Sequence, residues 1–491
     1  MDRIYDALKA KIMTADEAAA LIQPHMTLGC SGFTVVGHPK ALPPAIARRG
    51  TANDLTVLSG ASVGDIMDGE LARAGLVGHR FPYQTNKSMR EAINAGTVEY
   101  ADMHLSHMPT FLNRGVGPKI DFAIIECAMV TEEGLVPAAT VGAADSFVRN
   151  AERVIVEINT TLPTELYGMH DVYAAPSPLS PAPIPITDVQ DRIGTAVIPC
   201  PAEKIAAVVF SDDPGQYPVF KPADDVSAAI GANIVDFLKK EVAAGRQPKN
   251  LMPIQSGVGS VANAVLKGLA GGGFEGMRMF TEVLQDSALE LVRDGKIVGA
   301  SATALSLSEQ AAKELYGNIS YYRERIVLRP QEIANHPELT RRMALISMNT
   351  PIECDIYGNV NSTHVMGSKI MNGIGGSGDF ARNAGLTIFA TESVAKGGKI
   401  SCIVPMVSHV DHTEHDVQVI VTEQGVADLR WKSPKEKARA IIENCAHPDY
   451  RPALTDYFNR ACAAGNGMHT PHILTEALSW HQRFLDTGSM K

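Results

Sequence analysis

A short β-rich apolar run, a loop marked by glycine or proline, and a helical stretch recur along the whole chain, and this alternation leaves few folds open. The runs are Leu55–Leu58, Phe122–Ile125, Val154–Ile158 and Ile205–Phe210, then Ala344–Met348, Leu386–Phe389, Ile400–Val404 and Val417–Val421. Strands that alternate with helices are joined by crossovers, so the pattern predicts largely parallel sheets covered by helices. Helix signals fit between the runs. Thr14-Ala-Asp-Glu17 reads as a capping box ahead of an alanine-rich turn. Val226–Ala244 is amphipathic, with Ile230, Ile234, Phe237 and Leu238 on one side and Asp236, Lys239 and Glu241 expected in solvent.

At 491 residues the chain is too long for one small core, and domains of about 100–200 residues imply two or three. The clearest break is Ser211–Asp225, where three prolines and four acids separate a strong strand from the long helix. A cut near 218 gives two α/β halves, 1–218 and 219–491. The net charge of -10 argues against nucleic acid as a partner, because binding a phosphate backbone needs a basic surface. An anionic small substrate needs only a locally positive pocket. The seven cysteines are scattered and never spaced C-x-x-C, which reads as buried thiols in a reducing compartment. Met1–Ile22 carries Asp2, Asp6, Asp16 and Glu17 and lacks an apolar leader core, and no run approaches the roughly 20 apolar residues of a membrane span. A cytoplasmic protein without a membrane partner is expected.

Two glycine-rich segments stand out, Gln255-Ser-Gly-Val-Gly-Ser260 and Asn372-Gly-Ile-Gly-Gly-Ser-Gly-Asp379. Without a Cβ in the way, their backbone N–H groups can approach an anion or a developing oxyanion; tight turns at strand ends would use the same residues. Gly373–Gly378 also fits G-x-G-x-x-G, the dinucleotide-binding pattern, but no clean buried strand precedes it. Lys396 and Lys399 could offer charge to a phosphate, or be exposed turn residues. His409, His412 and His415 do not have the H-E-x-x-H spacing, so a hydrogen-bonded loop is expected there and no metal. Glu282, in Phe280-Thr-Glu-Val-Leu-Gln285, is a carboxylate in an apolar stretch. Such a residue serves as a helix N-terminal acid, a salt-bridge partner or a functional group, and pattern alone leaves the three open. Asn335 and Glu423 are equally ambiguous from their surroundings.

Taken together, these segments resemble the class I CoA-transferases of the acetyl-CoA hydrolase/transferase branch. The resemblance runs from SGFTVVGHPKALP (31–43) through QSGVGSVANAVL, RPQEIANHPE, IYGNVNSTHVMGSK and NGIGGSGDFARNA to VPMVSHVDHTEHDVQVIVTEQGVADLR and HTPHILTEALSWHQRFLDTGSM. It implies two related open α/β domains with the active site between them, assembled as a homodimer. It also implies that the FTEVLQ glutamate, Glu282, forms a glutamyl-CoA thioester. The amide of Val258 and the side chain of Asn335 are then expected to form an oxyanion hole, with Gly376 supplying a second amide. Gln255, Ser256, Gly257, Val258, Gly259, Asn372, Gly376 and Lys396 match positions associated with CoA, and Ser62 and Glu423 match polar positions around the acyl pocket. Ser260 departs from the family pattern, where asparagine is expected. CoA is implied as substrate and covalent intermediate, with no tightly bound cofactor, and small carboxylates as the other substrates. Succinyl-CoA with acetate is the expected pair; propionyl-CoA with succinate, hydrolysis of acetyl-CoA and, more distantly, a nicotinamide-dependent oxidoreductase are the alternatives.

Overall fold

The computed structural model describes residues 3–176, 179–220 and 224–491. The chain divides into two compact units, one made of Met1–Val219 and Arg278–Met343, the other of Phe220–Met277 and Ala344–Lys491. The first division falls beside the expected cut at 218. The second half, however, is not continuous: Arg278–Met343, which carries Glu282 and Asn335, belongs with the N-terminal residues. Backbone hydrogen bonds fix it there, from Val141 N–H to Thr303 (3.0 Å), Leu305 to Ala139 (3.0 Å), Gln331 to Gly142 (2.8 Å) and Leu328 to Met169 (3.0 Å). This re-entry brings no change of composition, so nothing in the sequence marked it.

The first unit is built on an eight-stranded sheet: β1 (Thr27–Thr34), β2 (Leu55–Ser62), β3 (Val77–Phe81), β4 (Glu99–Tyr100), β5 (Ile120–Thr131), β6 (Gly134–Pro137), β7 (Ala151–Asn159) and β8 (Ile205–Ser211). The order is β4-β3-β2-β1-β5-β7-β8, all parallel, with β6 antiparallel on β5. Sheets of this kind are covered on both faces, which is why β5 and β7 read as continuous apolar runs. β1 joins apolar Leu28, Cys30 and Phe33 with Gly29, Ser31 and Gly32, and carries no such run. One face packs Leu28, Val57, Ile124 and Ile155 against Leu42, Ile46 and Leu71. The helix Leu42–Arg49 is capped from the sheet: the Glu157 carboxylate accepts N–H groups from Lys40 (2.6 Å), Ala41 (3.0 Å) and Leu42 (3.1 Å).

In the second unit Ile254–Ser256, Ile346–Asn349, Leu386–Ala390 and Val419–Thr422 lie side by side in parallel, and Gly425–Asp428 returns antiparallel. Both units are therefore α/β with mostly parallel sheets, as expected. The capping box at Thr14 forms, with Glu17 closing it. The long helix spans Asp225–Ala243 and is capped by Asp224. Glu241 corrects the reading of its solvated face: the residue is buried, and its carboxylate takes charge-assisted bonds from Arg246 (2.7 Å) and Arg430 (2.9 Å). Those two guanidiniums hold its carboxyl down to about 2 despite its burial. Six cysteines are buried and all seven are free thiols. Among the described residues no helix is long and apolar enough to cross a membrane.

Arg329 anchors the re-entrant segment. It is fully buried, pairs with Asp171, donates to Ser301 Oγ (2.8 Å), and donates to the carbonyl of Val189 (3.2 Å). Asp171 in turn accepts from the amides of Ile193 (2.9 Å) and Gly194 (2.6 Å). Removing one partner of such a pair leaves a buried charge uncompensated, at about 3–5 kcal/mol. Arg329→Met is therefore expected to lower the free energy of unfolding by that much, and Arg329→Met with Asp171→Leu to recover part of the loss. Equal stability of Arg329→Met and the natural protein in urea titrations would refute the anchoring role.

Candidate active site

Glu282 follows the strand Met277–Phe280 and precedes Val283–Leu284, which pairs in parallel with Ala304–Leu305. Its own carbonyl accepts N–H groups from Thr303 (2.8 Å) and Ala304 (3.1 Å), so the backbone on both sides is pinned. The residue is half-buried. Asn335 ends the short helix Gln331–Ala334, is fully buried, and donates its side-chain N–H to a Glu282 carboxylate oxygen. Gln331, one turn earlier, donates to the carbonyl of Leu105 (3.0 Å), and its own N–H is held by Gly142. The amide of Asn335 thus reaches Glu282 from a helix that cannot swing. Burial pushes the Glu282 carboxyl up to about 7, and the hydrogen bond from Asn335 opposes that shift.

Ser62 lies at the carboxyl end of β2, opposite Thr34 at the end of β1. It is fully buried, and its Oγ has no hydrogen-bond partner among the described residues. Carboxyl ends of parallel strands are where ligands bind in open α/β sheets. Glu282, Asn335 and Ser62 all belong to the first unit.

The remaining candidates lie in the second unit, and Gly257, Val258, Gly259 and Glu423 stand just beyond the carboxyl ends of its parallel strands. Gly257, Val258 and Gly259 follow Ile254–Ser256 and open the helix Ser260–Gly271. Gly259 takes φ 105°, a conformation that favours glycine, and Val258 is exposed beside it. Exposed backbone at the start of a twelve-residue helix suits an anion. Gln255 is placed differently from the others: it is buried, and its Oε1 accepts from Ser347 Oγ (3.0 Å), Met348 N–H (3.2 Å) and Asn349 Nδ2 (3.2 Å). Its side chain clamps neighbouring strands. Ser256 is buried next to it, with Oγ donating to the carbonyl of Gly257 (3.3 Å).

Glu423 follows Val419–Thr422, and Ser393 follows Leu386–Ala390 on the adjacent strand. Ser393 donates both its N–H (2.9 Å) and its hydroxyl to the Glu423 carboxylate, and Gln424 adds a third bond (3.0 Å). Burial works to raise the Glu423 carboxyl, but these hydrogen bonds prevail and hold it below the usual carboxylate range. Ser393 was not singled out in the sequence; a serine three residues past a strand carries no signal until its partner is known. Asn372 is half-buried, and Gly376 is buried as the N-cap of Ser377–Ala381. Lys396 is exposed at the tip of the hairpin that pairs Val394–Ala395 with Ile400–Ser401.

The dinucleotide pattern lacks its setting. Gly373–Gly378 is preceded by a two-residue antiparallel pair, His364–Val365 with Lys369–Ile370, and followed by a helix of five residues. A strand of the parallel sheet does not lead into it, as that pattern requires. The three histidines also go separate ways: His409 packs on His364 with ring centroids 3.8 Å apart, and His412 bonds Ser377 Oγ (3.0 Å). Asp411 accepts from the Ser362 amide (2.6 Å) and the Thr363 hydroxyl (2.9 Å), which makes this the hydrogen-bonded loop expected.

A carboxyl group held above its unfolded value of 4.5 keeps its proton more tightly in the folded state. Ionising it therefore costs stability as pH rises from about 4.5 to about 7, and the cost persists above. Glu282→Gln keeps an acceptor for Asn335 and never ionises. It is expected to be more stable than the natural protein at pH 8 by about 1–3 kcal/mol and to lose that margin near pH 4. A stability difference that does not change with pH, measured by denaturant titration at both values, would count against the raised pKa.

Comparison with known proteins identifies the relatives of this chain. Residues 1–210 match the model of the acetyl-CoA hydrolase/transferase N-terminal domain, and residues 312–458 match that of the C-terminal domain. The chain is 55% identical over 489 residues to a succinyl-CoA:acetate CoA-transferase of Clostridium kluyveri, which spans 99% of this chain and 91% of that protein. It is 44% identical over 513 residues to an acetyl-CoA hydrolase of Schizosaccharomyces pombe, covering 100% and 98%. In three dimensions it resembles the crystal structure of RipA from Yersinia pestis, with a TM-score of 0.71 at 23% identity over 94% of this chain and 98% of that one, a likeness of fold. With a pinned, desolvated glutamate in one unit and glycine-rich strand ends in the other, the chain belongs to the acetyl-CoA hydrolase/transferase family.

Proposed function

We propose that the protein is a CoA-transferase that carries coenzyme A from succinyl-CoA to acetate through a glutamyl-CoA thioester on Glu282. The observation that carries this reading is the state of Glu282: half-buried, hydrogen-bonded by Asn335, and raised to about 7. A carboxylate is a weak nucleophile in water, and removing solvent from it while fixing its direction makes it more reactive without a general base.

In the reaction the ionised Glu282 adds to the thioester carbonyl of the acyl-CoA. The tetrahedral intermediate expels CoA thiolate and leaves a mixed anhydride between the acyl group and Glu282. The thiolate then adds to the glutamyl carbonyl, the acyl carboxylate departs, and CoA remains bound to Glu282 as a thioester. An incoming carboxylate reverses both steps. Each addition places negative charge on an oxygen. The resemblance assigns the amide of Val258 and the side chain of Asn335 to one such oxygen, and Gly376 to another. Asn335 already donates towards Glu282, which supports its part. Gly257–Gly259, Asn372 and Lys396 are taken as the coenzyme contacts and Ser62 and Glu423 as the acyl pocket. Gln255 and Ser256 support the coenzyme contacts from behind, since their side chains are engaged within the strand layer. Coenzyme A is substrate and covalent intermediate, and no other cofactor enters the scheme. The same resemblance supports a homodimer, and the seven free thiols support a reducing, cytoplasmic location.

Incubation with succinyl-CoA followed by intact-mass measurement is expected to show one CoA added, mapped to the peptide containing Glu282; Glu282→Ala should show none. Fast thiol release unchanged by acetate would favour the hydrolase reading instead, and a preference for propionyl-CoA with succinate would change the substrate pair alone. Asn335→Ala is expected to lower kcat by roughly 10²–10³-fold, the usual loss for one oxyanion donor. Because the Asn335 bond lowers the Glu282 pKa, the same variant should move the acid limb of the rate profile to higher pH. A limb that stays in place would separate Asn335 from the ionisation of Glu282.

A further inference from the structure

Lys396 sits in an unusual backbone state for its residue type. Its φ is 49°, in the left-handed region, and the glycines that follow it, Gly397 and Gly398, take φ 64° and 81°. A lysine there bears a backbone cost that glycine would avoid, and such strain persists where surrounding contacts enforce it. The contacts are present. The Lys396 ammonium lies 5.0 Å from the ring centroid of Phe484, on the helix Ser479–Thr487. The same hairpin is tied down twice more, by Met490 N–H to the carbonyl of Lys399 (2.9 Å) and by the Tyr450 hydroxyl to the carbonyl of Gly398 (2.9 Å). Tyr450 stacks against Trp480 of that helix with centroids 5.5 Å apart, and Phe484 packs on the core of the second unit. The hairpin tip is thus held by Tyr450 and by Met490 beyond the helix Ser479–Thr487, and the helix itself meets Lys396 through the Phe484 ring face.

We propose that Phe484 is a positioning residue for the coenzyme: its ring holds the Lys396 side chain ordered so that the ammonium meets a phosphate group of bound CoA. The proposal rests on the coenzyme role given to Lys396 under the proposed function. Lysine has a flexible four-carbon stem and loses much rotamer freedom when it binds a phosphate. A cation held over an aromatic face has lost part of that freedom beforehand, so less is lost on binding. The left-handed backbone at Lys396 serves the same end by aiming the stem at the Phe484 ring.

The test is steady-state kinetics of the protein with succinyl-CoA and acetate, on six variants. Phe484→Ala is expected to raise KM for succinyl-CoA two- to tenfold, with kcat within twofold and KM for acetate unchanged. Phe484→Tyr, which keeps the ring, should restore the KM, whereas Phe484→Leu should not. In a Lys396→Ala background, Phe484→Ala should have no further effect, because the residue acts only through the lysine. Additive effects of the two substitutions, or a Phe484→Leu variant with natural KM, would overturn the proposal. Lys396→Gly supplies an independent readout: relieved of backbone strain, it should melt at a higher temperature while its KM for succinyl-CoA rises. An unchanged KM in Lys396→Ala would remove the phosphate role of Lys396 and this proposal with it, yet leave CoA transfer standing; loss of the reaction class would show as no transfer by the natural protein.

Discussion

The buried pair of Arg329 and Asp171 holds the elements that position the Glu282 carboxylate. Arg329 lies at the end of the strand Ile326–Leu328 and immediately before Pro330 and the helix Gln331–Ala334. Its guanidinium fork is filled by Asp171, Ser301 and backbone carbonyls, so the start of that helix is fixed in the first unit. Asn335 is the last residue of the same helix turn, and the strand that holds Ser301 leads to Thr303, whose N–H binds the carbonyl of Glu282. One desolvated ion pair thus sets both the donor and the acceptor of the Asn335–Glu282 bond. A pair of this kind adds little net stability compared with apolar packing, but it tolerates few alternative geometries.

Fixing Glu282 in this way has opposing consequences for its chemistry. Desolvation raises the carboxyl to about 7, which makes the anion more basic and more nucleophilic, yet leaves a smaller fraction ionised at neutral pH. Asn335 moderates that conflict by stabilising the charged form. In the proposed reaction the same amide would suit the oxygen that gains charge when Glu282 or its thioester is attacked, so a single side chain would serve the resting carboxylate and the intermediate in turn. Glu423 shows the contrary solution: three hydrogen bonds keep it ionised in spite of burial. A carboxylate so fully engaged by neighbouring donors is a poor nucleophile and a good fixed charge.

Much of the fold was legible because parallel strands buried on both faces must be apolar throughout. β5, β7 and β8 therefore announced themselves, as did Leu386–Ala390. β1 did not, since its glycines and Ser31 break the apolar run; Ser31 satisfies its hydroxyl on the carbonyl of Gly37 (2.7 Å), a bond no periodicity reveals. The burial of Glu241 was hidden for a related reason: its partners Arg246 and Arg430 are five and 189 residues away, and only the near one lies within reach of a pattern argument. The re-entry of Arg278–Met343 was invisible because the surfaces it joins are as apolar as any other core. At the site, Glu282 was a bare candidate by pattern, and family resemblance supplied its role. Its bond to Asn335, 53 residues on, is a fact of the fold.

The glycine-rich segments carry a constraint that side-chain reasoning misses. The Gly257 N–H is taken by the carbonyl of Met348 (2.9 Å), so what this segment would offer an anion is backbone such as the amide of exposed Val258, just past a strand end where a helix begins. Such donors add no side-chain entropy to binding and do not depend on a titrating group, so their strength is the same across the pH range in which Glu282 ionises. Their position, in contrast, depends on everything behind them. That dependence accounts for Gln255, which has its side chain turned into the strand layer and bound to Ser347, Met348 and Asn349. Replacing it would remove those bonds and loosen the strand from which the amides project. A residue matched to a coenzyme-associated motif can therefore matter for binding through the backbone it holds, without touching the coenzyme at all.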